Sequence, residues 1–209
     1  MKAIVYLKPV IFAAALIPAA VLAYGVYIAV ANGDTRFVGA DPLAYITNQT
    51  GWWALAFLLI ALTVTPIRRL TGWNAAIRLR RMLGLFSFFY ALLHMLTWLV
   101  LLNFFDLDAM VKDVIKRPYI TVGMATFLIL SALAITSNRF AVRRLGKKWQ
   151  TLHRLVYVAG IGAVIHFWWL VKADITEPRQ FAMILGVLLA LRVWWVVQKR
   201  AAKARPAAA

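Results

Sequence analysis

The stretch Met82-Leu83-Gly84-Leu85-Phe86-Ser87-Phe88-Phe89-Tyr90-Ala91-Leu92-Leu93-His94-Met95-Leu96-Thr97-Trp98 begins an apolar segment, 82–105, whose one histidine is His94. A run of that length meets the ~20 residues that a helix needs to cross ~30 Å of hydrocarbon. An imidazole inside it is rare and costly, and marks a functional site by default.

The rest of the chain agrees. Of its 209 residues, 64% are hydrophobic, and the mean hydropathy is +0.78, above the range of soluble domains. There is no cysteine, which excludes disulfides, thiolate metal sites, iron–sulfur clusters and covalent c-type haem attachment. The net charge of +17 sits in short stretches between apolar spans. It therefore reports topology, and nucleic acid is not an expected partner.

Six apolar segments are read: 9–31, 52–66, 82–105, 119–136, 152–171 and 181–198. Each is expected to be a helix, because an open strand cannot satisfy its backbone in lipid. The second is expected to start as early as Ala44 and to stop at Pro66, which does not continue a helix easily. Arg68, Arg69, Arg78, Arg80 and Arg81 fill one connection, and Arg139, Arg143, Arg144, Lys147 and Lys148 another. All seven acids fall in the alternate connections. The positive-inside rule then predicts an all-α bundle of six transmembrane helices with both termini cytoplasmic. The run from Pro9 to Ala31 is too long for a signal-peptide core and is read as a true helix. Residues 1–200 form one expected domain, with 201–209 a disordered cytoplasmic tail. No internal repeat of clear period is visible.

The histidines carry the chemistry. His94 lies 13 residues beyond Arg81, roughly 20 Å at 1.5 Å per residue. His166 lies 15 residues beyond Thr151, roughly 22 Å. Both segments run the same way, so the two rings share a level in the outer half of the membrane. Two imidazoles at one level can clamp a haem axially, and a closed bis-imidazole iron suits electron transfer. His153, 13 residues before His166, could serve a second haem nearer the cytoplasm. On one ideal helix, however, those two rings point about 140° apart, and the segment of His94 offers only Arg80 and Arg81 opposite it. Gly160 and Gly162 lie on the faces of His153 and His166, where a missing side chain would let a flat ring approach; their other reading is plain helix packing. Arg80 and Arg81 could grip a haem propionate or a flavin phosphate, or act only as topology determinants. The tryptophans near span ends, including Trp168 and Trp169, read as an aromatic belt or as flanks of a cofactor.

Four motifs, taken together, resemble a known family: Gly39-Ala40-Asp41-Pro42; Arg78-Leu79-Arg80-Arg81-Met82-Leu83-Gly84-Leu85 followed by Leu93-His94; Arg117-Pro118-Tyr119-Ile120-Thr121-Val122-Gly123; and Leu145-Gly146-Lys147-Lys148-Trp149-Gln150-Thr151-Leu152-His153-Arg154 leading to Ile165-His166-Phe167-Trp168. The set is similar to the MsrQ (YedZ) family, haem-binding membrane subunits of the bacterial periplasmic methionine sulfoxide reductase system, related to the ferric-reductase and NADPH-oxidase transmembrane domain. The resemblance implies a multi-pass protein of the inner membrane that carries haem b, one or two copies, and is associated with FMN. It implies electron transfer from the quinone pool or a cytoplasmic flavin reductase to the periplasmic molybdopterin subunit MsrP, on which sulfoxide reduction takes place. It maps axial ligation onto His94, His153 and His166. The wider family has two histidines on each of two helices; here Arg80 and Arg81 stand where the fourth would be.

Two other functions compete. A self-contained ferric reductase would need a dehydrogenase domain, and no glycine-rich dinucleotide fingerprint is present. A small proton- or metal-translocating transporter would be expected to carry acids in its spans, and every acid lies outside them.

Overall fold

In the computed structural model, residues 3–171 and 173–204 are described; Lys2, Lys172 and the tail beyond Ala204 lie outside them. Among the described residues all regular structure is helical, with no strand. The helices are α1 (Ala3–Asn32), α2 (Pro42–Thr71), α3 (Ile77–Leu96), α4 (Leu107–Lys116), α5 (Pro118–Ile135), α6 (Arg139–Leu145), α7 (Lys147–His153), α8 (Leu155–Leu170) and α9 (Thr176–Ala204). A π-helical turn, Thr97–Leu102, extends α3. Five helical stretches are long and apolar enough to cross a membrane: Tyr6–Asn32, Pro42–Thr71, Asn74–Leu102, Pro118–Ile135 and Thr176–Ala202.

Cross-helix contacts fix the directions. Ser87 Oγ donates to Ala54 O, and His94 meets Thr47, so α2 and α3 are antiparallel. His166 meets Tyr119 and His153 meets Thr136, so α5 and the α7–α8 pair are antiparallel too. Trp52 packs on Phe181, and Arg192 reaches Leu62, so α9 descends beside α2. Phe12 packs on Phe86 and Tyr90 bonds Ala15, so α1 rises beside α3. The end holding Ala3 and Ala204 is called the near end below, and the opposite end the far end.

Three sequence expectations change. The helix expected to stop at Pro66 runs on to Thr71 and is capped by Gly72 in the left-handed region (φ 71°). Proline removes the N–H that would bond the carbonyl four residues earlier, which is that of Leu62. Arg192 replaces it: Nη2 donates to Leu62 O at 2.6 Å, Nη1 to Leu188 O at 2.7 Å, and Nε to the Tyr157 hydroxyl at 3.1 Å. A guanidinium from another helix thus completes the interrupted ladder. Second, the segment expected over 152–171 is broken at Arg154. The Arg154 N–H bonds Thr151 O and the Tyr157 N–H bonds Arg154 O, tight three-residue steps that separate α7 from the 16-residue α8. The angle calculated for one ideal helix therefore does not apply to His153 and His166. Third, α9 continues through Ala204, so residues 201–204 of the expected disordered tail are helical.

α1 is joined to the bundle by a related device. It contains Pro9 and Pro18. Beside Pro18 the Tyr90 hydroxyl enters the ladder, accepting from Ala19 N at 3.1 Å and donating to Ala15 O at 2.7 Å. Tyr90 is 1% exposed and stacks on Phe57, which locks α1, α2 and α3 together at one level.

Arg192→Met is expected to lower the thermal unfolding midpoint in detergent, since an unpartnered buried carbonyl costs about 1–3 kcal/mol. Pro66→Ala restores the missing donor, so the Pro66→Ala/Arg192→Met double variant should lose markedly less than the two single losses added together. Strict additivity in a denaturation cycle would refute the link between Pro66 and Arg192.

Candidate functional site

Two histidines meet at the far end. His94 on α3 and His166 on α8 have ring centroids 6.0 Å apart, with planes at 79°. Each ring is held the same way. His94 Nδ1 lies 2.9 Å from Thr47 O, with Thr50 Oγ1 at 3.5 Å. His166 Nδ1 lies 2.6 Å from Tyr119 O. A carbonyl can only accept, so Nδ1 carries the proton in both rings and Nε2 is left with its lone pair. In metal proteins the same bond, from one ring nitrogen to a carbonyl, orients a histidine that binds metal through the other.

A glycine makes room for each ring. A Cβ on Gly51 would stand 3.1 Å from Cε1 and Nδ1 of His94; one on Gly123 would stand 2.6 Å from Nδ1 of His166. The two halves repeat one another. The accepting carbonyl precedes its histidine by 47 residues in both, and the glycine by 43 in both. Hairpins α2–α3 and α5–α8 therefore present one module twice, face to face. At the same offset, His153 of the second hairpin corresponds to Arg81 of the first. Gly51 and Gly123 were not singled out from sequence, although the equal glycine-to-histidine spacing was there to be found.

Both rings line a cavity of about 440 Å³, within the range of small-molecule and cofactor pockets. Its deeper wall is apolar, with Leu55, Leu58, Ala91 and Leu130; its mouth at the far end carries Asn48, Asn103, Asp113 and Arg117. Arg117 Nε pairs with Asp113 at 3.3 Å. The Tyr119 hydroxyl and the Asp113 carboxylate hold Arg117 above its ordinary value, so it is cationic at any working pH. Trp98 also lines the cavity, and its buried Nε1–H has no partner among the described residues.

The ring spacing would suit a metal held between the two imidazoles. Two metal–nitrogen bonds of about 2 Å, plus about 1 Å from each coordinating nitrogen to its ring centre, would set imidazole centroids about 6 Å apart. Among the described residues no three of His, Asp and Glu converge. The pair thus suits a metal that brings its own equatorial ligands better than a bare ion.

The other expected residues lie elsewhere. His153 sits at the near end, stacked on Trp149 at 4.0 Å, with Nε2 3.1 Å from Thr136 Oγ1. Trp149 Nε1 donates to Thr136 O, so the three form one cluster. Arg80 is close enough for its charge to act on His153. Neither Arg80 nor Arg81 lines the cavity. Gly160 faces Leu185 and Leu62, and Gly162 faces the Thr126 hydroxyl, so both serve helix packing, not approach to the cavity. Phe167 lines the cavity, whereas Trp168 and Trp169 do not.

The family described as "Ferric reductase like transmembrane component" matches residues 50–164, from within α2 into α8, and ends two residues before His166. A protein of Herminiimonas arsenicoxydans is 50% identical over 197 residues, covering 93% of this chain and 87% of its own. One of Xanthomonas euvesicatoria pv. vesicatoria is 49% identical over 202 residues, covering 95% and 90%. One of Ralstonia nicotianae is 52% identical over 167 residues, covering 78% and 77%. Each of these is named protein-methionine-sulfoxide reductase heme-binding subunit MsrQ. The chain belongs to the ferric-reductase-like transmembrane proteins and, among them, to the MsrQ family.

Gly123→Ala should destabilise the bundle by about 1–3 kcal/mol through overpacking, and Gly51→Ala by less, because its added methyl has more room. Thermal unfolding of the two variants side by side tests the order.

Proposed function

We propose that the chain is a membrane electron conduit in which His94 and His166 hold one b-type haem through their Nε2 atoms. The observation that carries this reading is the pair itself: rings 6.0 Å apart, each anchored through Nδ1 on a backbone carbonyl. A haem bound there would supply one-electron redox chemistry. The protein residues do the rest. Thr47 and Tyr119 fix ring orientation and tautomer, Gly51 and Gly123 admit the rings, and Leu55, Leu58 and Leu130 exclude water. Arg117, the cation among the cavity-lining residues, is our choice to meet a propionate, in place of Arg80 and Arg81.

The membrane reading adds α8 as a sixth span. Its 16 residues fall below the usual ~20, and α7 covers the remaining depth at the headgroups. With Arg68, Arg69, Arg80, Arg81, Arg139, Arg143 and Arg144 at the near end, the positive-inside rule makes that end cytoplasmic in the bacterial inner membrane. Electrons then enter from the near end, from the quinone pool or a flavin reductase, with Arg80 and Arg81 available to a flavin phosphate such as that of FMN. They leave at the far end to the periplasmic subunit MsrP. The names of the relatives support a haem subunit of a methionine sulfoxide reductase system. A second haem bound through His153 Nε2 would require that nitrogen to leave Thr136 Oγ1.

His94→Ala and His166→Ala should each abolish the same b-type absorption bands in purified protein; an intact spectrum in either variant would sink the pairing. Counting haem per chain in His153→Ala decides the second site: an unchanged ratio leaves His153 in the Thr136–Trp149 cluster, and loss of one of two makes it a ligand. Arg117→Gln should speed haem transfer to an apoprotein acceptor about tenfold or more, as loss of a charge-assisted hydrogen bond worth about 1.5–3 kcal/mol predicts, while Arg80→Gln should leave the release of that haem unchanged.

A further inference from the structure

The connection from α3 to α5 is a built element. After the π-helical turn, Phe104 and Phe105 occupy the left-handed region at φ 47° and 60°, which bulky side chains avoid. Hydrogen bonds hold them there: Phe105 N to Leu99 O at 3.1 Å, Asp106 N to Asn103 O at 2.8 Å, and Asn103 Nδ2 to Trp98 O at 2.9 Å. The result is a pair of aromatic rings turned outward, 80% and 61% exposed. Asp106 then caps α4 by accepting from Ala109 N at 3.1 Å.

α4 has three faces. Ala109, Met110, Asp113 and Val114 turn toward the bundle and are half-buried. Leu107, Val111 and Ile115, spaced by one helical turn, are 72%, 56% and 76% exposed. Asp108, Lys112 and Lys116 form the third face, all exposed. Ten residues make a rod of about 15 Å, too short to cross a bilayer. An apolar stripe beside a charged stripe is the pattern of a helix lying in the membrane surface.

We propose that α4 lies in the far-end leaflet, with Phe104, Leu107, Val111 and Ile115 below the headgroups and Lys112 and Lys116 among the lipid phosphates. The stripe continues the apolar lipid-facing surface of the span that precedes it, where Leu101 and Leu102 are also exposed. That continuity favours lipid over a water-borne protein as the occupant. α4 is also tied to the cavity. Thr121 Oγ1 donates to Val114 O at 2.5 Å, Asp113 pairs with Arg117, and two residues on, Tyr119 O holds His166. The membrane surface thereby becomes one wall of the cavity mouth. This inference rests on the fold alone and is independent of what the cavity binds.

The chain has no cysteine, so single-cysteine variants need no background removal. Bimane attached to Leu107→Cys, Val111→Cys, Ile115→Cys, Asp108→Cys and Lys112→Cys in the full chain, in nanodiscs of phosphatidylcholine and phosphatidylglycerol, gives the test. The first three should be quenched several-fold more by a lipid-tethered nitroxide than by aqueous iodide, and the last two the reverse. Equal iodide quenching at all five positions overturns the proposal. So does iodide access to the stripe that closes only when a soluble periplasmic protein partner is added, which would make it a protein-docking face.

Discussion

In each half of the bundle an imidazole N–H meets a main-chain carbonyl across a glycine: His94 to Thr47 O over Gly51, and His166 to Tyr119 O over Gly123. In lipid an imidazole is costly, and the hydrogen bond to the carbonyl satisfies one of its two nitrogens. Anchoring through Nδ1 removes the ring's rotational freedom and dictates where Nε2 points. The glycine brings the helices close enough for the carbonyl to be reached. Because the module occurs twice with equal spacing, the two rings meet at one cavity at one depth.

The same requirement, that no backbone group be left unpaired in hydrocarbon, explains the longer-range ties. Pro66 would leave Leu62 O without a donor, and Arg192 supplies one from α9. Tyr90 enters the ladder of α1 beside Pro18. Each side chain turns a local defect into a contact between helices distant in sequence. The intramembrane arginine is thus first a backbone partner. Its cost in lipid is offset by three hydrogen bonds and by its place over the Tyr157 ring, 5.1 Å from the centroid.

The near and far ends divide the protein's chemistry. The far end gathers the paired histidines, the cavity and its polar mouth. The near end gathers His153, Trp149, Thr136 and the basic connections. At the shared offset between the hairpins, the counterpart of His153 is Arg81, so the first hairpin has no histidine at that level and the pairing seen at the far end is not repeated there.

Hydropathy and the segregation of acids to alternate connections made the helical, membrane-spanning class and the approximate spans legible, because lipid imposes a length and polarity on any segment that crosses it. The shared level of His94 and His166 was legible too, since rise per residue is fixed by helix geometry. Other features were not. Whether Pro66 ends a helix depends on Arg192, 126 residues away. Whether Gly162 or Gly123 faces a ring depends on which helix lies opposite. Whether an arginine reaches the cavity depends on the path of the 103–117 connection, which brings Arg117 to the mouth and leaves Arg80 and Arg81 at the other end. Sequence alone determined what each segment must be, because the solvent acts on segments one at a time; tertiary structure alone decided which groups meet, because a hydrogen bond across helices depends on partners that no local pattern encodes.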